Sequence, residues 1–311
     1  MKIDAFTHIL TTPYIDKLRD LLNRPTFHGE HLIPELIDYE QRLRDMDAAG
    51  IDKQIVTMPS PPTDQMHEDP ALCAELTAII NNAMYDLAGR FPDRFLPIAT
   101  VALNNLPSAL KEAERGVKEL GMHGVLIYTN GGGRMLDDPE LLPFFELVES
   151  LGKPMWIHPT NNPIFEGLKY GLGSKYGWPF NTTIAMSYLA FGGVFDRCPM
   201  LRVITHHAGA MVPFFENRGG GDGMTRPGVP LNKAPNDYYR MFFVDTAVQG
   251  SIGAMLCSYN FYGSEQMLFG TDYPYAKARV GHTIASVEAL PVPPAQKEAV
   301  FSGNVERLLG L

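Results

Sequence analysis

Short apolar runs recur along the chain, each followed by a longer segment in which apolar positions return every three or four residues. The first pattern is that of buried strands, the second that of helices laid against them by one face. Eight strand candidates emerge: "KIDAFTH", "KQIVTM", "FLPIATV", "GVLIYT", "PMWIHP", "RVITHH", "MFFVDT" and "MLFGTD". Between them, "YEQRLRDMDAAG", "DPALCAELTAIINNAMYDLAGRF", "LPSALKEAERGVKELG", "DPELLPFFELVESLG" and "TTIAMSYLAFGGVFDRCP" read as helices. Several open after Asp or Thr and stop at Gly or before Pro, as end-capping chemistry requires. Eight strands alternating with helices over 311 residues predict an α/β fold, a (β/α)8 TIM barrel, as one domain over residues 1–311. A doubly wound sheet is the rival, but nothing like G-x-G-x-x-G follows the first strand. Long insertions are expected after the first strand, residues 11–39, and after the sixth, residues 216–239, as lids, binding loops or contact surfaces.

The polar residues obey the rule that a barrel works at the C-terminal ends of its strands. His8, Thr57, Thr129, His158, His206, His207, Asp245 and Asp272 all lie where an apolar run turns into a loop. Closing the barrel brings the last strand beside the first, and therefore Asp272 beside His8. Imidazoles and a carboxylate gathered there suit a divalent ion such as zinc, or proton transfer near neutral pH. In "THHAGA", neighbouring strand residues face opposite ways, so a strand running through both histidines would put one of them outside the site. His207, nearer the loop, is the candidate acid/base. Arg42 and Arg218 offer planar guanidinium forks for a substrate carboxylate. The glycines of "RGGGDG" and "NGGGR" lack the Lys and Ser/Thr of a phosphate loop and read as flexible turns.

Composition narrows the partners. A net charge of -9 without a Lys/Arg cluster argues against nucleic acid, and no apolar run is long enough for a membrane. The N-terminus has no basic segment leading into an apolar stretch, and three scattered cysteines fit reduced thiols better than a disulfide framework. A cytoplasmic enzyme of small molecules is the expectation.

The segments "IDAFTHIL", "RLRDMDAAGID", "ELGMHGVLI", "WIHPT", "TTIAMSYLAFGGVFDRCPMLRVITHHAGAMVPFFENR" and "LFGTDYPY" resemble the amidohydrolase-type barrels related to aminocarboxymuconate-semialdehyde decarboxylase and γ-resorcylate decarboxylase. The likeness spans nearly the whole chain. It implies a divalent metal, zinc or manganese, and loss of carbon dioxide without oxidation from an unsaturated or hydroxylated aromatic carboxylic acid. It also implies His8, His158 and Asp272 as metal ligands, His207 as acid/base, and Arg42 and Arg218 as substrate-binding arginines, Arg218 reaching a neighbouring subunit of a homodimer. Asp272 is a second candidate proton donor.

The departure is Phe6, where the family places a histidine or glutamate ligand. A phenyl ring has no lone pair to offer. Asp4, two residues earlier, is about 6 to 7 Å away along the strand, too far for a direct replacement. The expectation is a weaker site of three protein ligands, with a metal-free site as the rival in which Phe6 packs against the substrate. Two other functions compete: a hydrolase or hydratase acting on a ring amide, lactone or double bond, and a catalytically silent barrel kept for binding.

Overall fold

The computed structural model describes residues 1–22, 32–160, 165, 167–219 and 231–311. Among the described residues nine parallel strand segments follow one another around the barrel: β1 Ile3–His8, β2 Lys53–Thr57, β3 Phe95–Pro97, β4 Ala99–Thr100, β5 Val125–Tyr128, β6 Met155–His158, β7 Val203–Thr205, β8 Phe243–Asp245 and β9 Met267–Leu268. β3 and β4 are the two halves of the candidate "FLPIATV". At Ile98 the chain hands over, its N–H bonding back to Val56 while the Ala99 N–H bonds forward to Gly124. Eight barrel strands result, as the periodicity predicts.

Closure is made beyond β9. The Ala5 N–H donates to the Phe269 carbonyl, the His8 N–H to that of Tyr273, and the Asp272 N–H to that of Phe6. Every residue of β1 is buried. The β1/β2 register slips between Asp4 and Thr7, so β1 carries one extra residue over its partner. Asp4 does not point toward a metal. Its carboxylate accepts from the backbone N–H groups of Phe6 and Thr271, and the Thr271 hydroxyl donates to it, pinning the first strand to the last.

Helix boundaries follow the capping residues. Asp38, Asp69, Asn105 and Ser251 each accept a bond from a first-turn N–H, and the helix Tyr39–Ala49 ends on Gly50 at φ 65°. In that helix Arg42 and Met46, four residues apart, share the buried face. Both expected insertions hold helix: Thr12–Leu22 and a short turn at Pro34–Leu36 in the first, Glu216–Gly219 and Pro235–Tyr239 in the second. Residues 23–31 and 220–230 of these insertions, with most of the "RGGGDG" glycines, lie outside the described residues.

Candidate active site

Phe6 stands at the centre of the barrel mouth. Its ring lies flat on that of His206, centroids 3.5 Å apart and planes 16° off parallel. His8 meets it edge-on at 4.6 Å, His207 at 5.9 Å, and His158 is tilted to it at 5.7 Å. Four imidazoles from three strand ends thus surround one phenyl. Gly270 makes room for this crowding: a Cβ there would come within 3.0 Å of the Phe6 Cβ and 2.9 Å of the Asp245 Cβ.

In "THHAGA" the strand does not run through both histidines, so both can face the mouth. β7 stops at Thr205, and from His207 to Gly209 the backbone runs at positive φ, with Ala210 at 56° as well. His206 keeps extended backbone and lies on Phe6, and the reversal that starts at His207 brings that second ring to the same phenyl. Left-handed backbone at non-glycine residues costs on the order of 1–3 kcal/mol each, and such conformations collect at functional sites. Asp272, at φ 62°, is another at the same mouth.

Hydrogen bonding orients three of the rings. The Thr57 hydroxyl spends its proton on the Thr7 carbonyl, so at 3.2 Å it accepts from the Nδ1–H of His8. The Nδ1–H of His158 points to the Pro159 carbonyl at 2.5 Å, and that of His206 to Asp245 Oδ2 at 2.8 Å. Asp245 is in turn held by the Ala247 N–H at 2.8 Å. Each ring therefore has its Nε2 free for other work. His8 Nε2 lies 3.3 Å from Asp272 Oδ1, a contact that is a hydrogen bond only when the pair carries one further proton.

Burial sets the charge states. It holds His158 and His206 well below the ordinary histidine range, and neighbouring imidazoles push the same way. Burial raises Asp245 to about 6, against bonds that favour the carboxylate. At neutral pH the His206–Asp245 pair is thus a neutral imidazole on a carboxylate. His206 Nε2 and His207 Nδ1 are buried without a partner.

Among the sequence-predicted residues, His8, His158, His207, Asp272 and Phe6 come together. Arg42 does not join them. It is fully buried between its helix and β1, donating to Gln54 Oε1 at 2.7 Å and to the His8 carbonyl, with Tyr273 stacked on it at 4.7 Å. These acceptors make it a framework residue instead of a carboxylate fork. Arg218 is exposed on Glu216–Gly219, next to Phe214 and Phe215, which are exposed as well.

Sequence reasoning left out the His206–Asp245 pair and an aromatic wall. Trp178 and Tyr128 approach His158 at 5.8 and 5.6 Å, and Tyr275 approaches His8 at 5.5 Å. Asp245 did show as a polar strand end. Nothing in the sequence marked the three aromatics, which reach the mouth from separate parts of the chain.

The ion implied by the resemblance does not fit this arrangement. Among the described residues no three His, Cys, Asp or Glu side chains form a group that could hold a metal, and a phenyl occupies the place of one donor.

A barrel of this topology with a histidine-lined mouth defines a class, and the chain belongs to the amidohydrolase family, whose model matches residues 3–311. Over 282 residues it is 29% identical to 2-amino-3-carboxymuconate-6-semialdehyde decarboxylase of Dictyostelium discoideum, covering 88% of this chain and 77% of that one. It is 27% identical to γ-resorcylate decarboxylase of Rhizobium radiobacter, with 92% of each covered. Crystalline 5-carboxyvanillate decarboxylase of Sphingomonas paucimobilis superposes with a TM-score of 0.87 at 25% identity, covering 100% of this chain and 99% of that one. A dihydroxybenzoic acid decarboxylase from Polaromonas sp. JS666, at 24% identity and a TM-score of 0.84 over 100% of this chain and 97% of that one, has bound manganese.

Proposed function

We propose that the chain is a non-oxidative decarboxylase of a hydroxylated aromatic or unsaturated carboxylic acid, working as a single domain. The observation that carries this reading is the convergence of His8, His158, His207 and Asp272 on Phe6 inside an aromatic wall, in a chain similar over nearly its full length to decarboxylases.

The chemistry follows from the residues. An aromatic acid enters beside Trp178 and the exposed Tyr275 at the mouth, above the buried Phe6. The apolar floor disfavours a concentrated carboxylate charge more than the dispersed charge of the transition state. His207 is half-buried with Nδ1 covered, so Nε2 is the atom that meets the substrate. It protonates the carbon that bears the carboxylate, the bond to carbon dioxide breaks, and its electron pair restores the unsaturated system. His207, half-buried at the mouth, is recharged with a proton from solvent, and Asp272, 3.3 Å from His8 Nε2, is the second acid/base there. No step here is routed through an ion. Of the implied donors, His8 and Asp272 would face an entering zinc ion as a pair, with no group of three among the described residues.

The test is turnover in deuterated water with 2,6-dihydroxybenzoate and 5-carboxyvanillate as first substrates. Carbon dioxide release with one deuterium on the decarboxylated carbon is expected, and His207→Gln lowers it about 10²- to 10⁴-fold while the protein stays folded. Product without solvent deuterium on that carbon overturns the proton step, and uptake of labelled oxygen in place of carbon dioxide release overturns the reaction class.

The working unit in this reading is a homodimer, with Arg218 entering the partner's mouth to hold the substrate carboxylate. Its support is the exposed Phe214 and Phe215 beside an exposed arginine. No helix among the described residues is long and apolar enough to cross a membrane. The free thiols Cys73, Cys198 and Cys257 fit a reducing, cytoplasmic setting.

A further inference from the structure

We infer that this enzyme works without a resident divalent ion, because Phe6, wedged against His206, takes the place of a ligand.

Phe6 cannot be turned aside to admit an ion. It is 1% exposed, lies face to face with His206, and meets His8 and His207 with planes 87° and 85° apart. Imidazoles bound the phenyl on one face at 3.5 Å and to its sides at 4.6 and 5.9 Å. His206 cannot yield either, because it is 0% exposed and bonded to Asp245, itself 0% exposed and held by the Ala247 N–H. His206 lies outside the ligand set that the resemblance implies. It gives position 6 a flat surface that suits a ring and does nothing for a carboxylate.

What remains of the donor set is a pair. His8 Nε2 and Asp272 Oδ1 are 3.3 Å apart, close to the roughly 3.3 Å edge of a zinc tetrahedron with bonds of about 2.0–2.1 Å. His158 does not complete a group of three with them. Catalytic zinc takes three protein ligands and keeps one position for water or substrate, so two leave the ion too weakly held to reside. The decarboxylation written above needs no oxidant, reductant or co-reactant, only a proton in and carbon dioxide out. Phe6 and the His206–Asp245 pair are positioning residues in this scheme, acting through the shape of the floor.

The experiment uses the full chain produced in medium supplemented with zinc and manganese, dialysed and examined by elemental analysis. Less than about a tenth of an equivalent of either metal is expected, and titration calorimetry with zinc chloride and manganese chloride should show no tight site. Phe6→His and Phe6→Glu should each acquire close to one equivalent and bind at least about tenfold more tightly. Folding of Phe6→His, whose imidazole is smaller than the phenyl, is checked by reading the melting temperature in parallel. Wild-type protein that retains more than about half an equivalent overturns the inference. So do wild-type turnover lost to excess EDTA and restored by manganese, and a folded Phe6→His variant that binds no more metal than wild type. Failure of every acid to release carbon dioxide would count against the decarboxylase reading alone, since metal content is measured without substrate.

Discussion

Replacing Arg42 by Met separates a framework arginine from a substrate arginine. The guanidinium is 0% exposed and stays charged at neutral pH even though burial pulls it down to about 10. Met keeps most of the volume but leaves Gln54 Oε1 and the His8 carbonyl without their donor. Unmet buried acceptors cost about 1–3 kcal/mol each, and the stacking on Tyr273 adds up to about 2 kcal/mol. Relief from desolvating the charge offsets part of this, so the expected net loss is about 3–5 kcal/mol. At about 2.1 cal/mol/K per residue over 311 residues, the unfolding entropy is roughly 0.65 kcal/mol/K, and the melting temperature should fall by roughly 5–8 °C. Calorimetry gives the shift, and steady-state kinetics at a temperature where the variant is folded give the second half of the test. The His8 carbonyl loses its anchor, so kcat falls while KM for the acid stays within about threefold. An unshifted melting temperature with KM raised about tenfold or more would refute the framework role and return Arg42 to the substrate.

Two further outcomes are expected. Burial raises Asp4 to about 7 from 3.8, so between about pH 4 and 7 the folded state holds the proton that the unfolded state has lost. Stability from this group therefore falls as pH rises through that window, by at most about 4 kcal/mol, at about 1.4 kcal/mol per unit. Because His158 and His206 act in the opposite sense below about 6.5, the quantity to measure is the urea-unfolding difference between wild type and Asp4→Asn, which should grow in favour of Asp4→Asn from pH 5 to 7 and then level. A difference independent of pH would contradict the buried-carboxylate assignment. For the dimer, mixing Arg218→Ala with His207→Gln subunits should restore up to about a quarter of wild-type turnover, since half the dimers are mixed and each has one intact site. No recovery from freely exchanging subunits, or a monomer in sedimentation, would remove Arg218 from the partner's site.

The alternation of apolar runs and helical segments was enough for the barrel, because burying one face of each element is a local pattern repeated eight times. Barrel closure was legible as well: a polar residue at each strand end must reach one mouth, which is how His8, His158 and Asp272 could be grouped from a chain that separates them by more than a hundred residues. Phe6 was visible as a departure for the same reason. Tertiary structure alone decided what the departure means. That β7 ends one residue before His206 and the chain then turns through positive φ goes with the Ala208 N–H reaching Asp245 on β8 and Gly209 lying against Tyr262, which no periodicity reports. His206 lies on Phe6, the reversal adds His207 beside it, and among the described residues the donors of a family metal site stand unassembled. Arg42 shows the other limit. Its place in a helix was clear from sequence, but the face it turns inward and the acceptors it meets belong to β1 and β2, brought to it by the fold. Local sequence sets which residues end a strand; the contacts that give each one its proton, charge and partner come from elements distant in the chain.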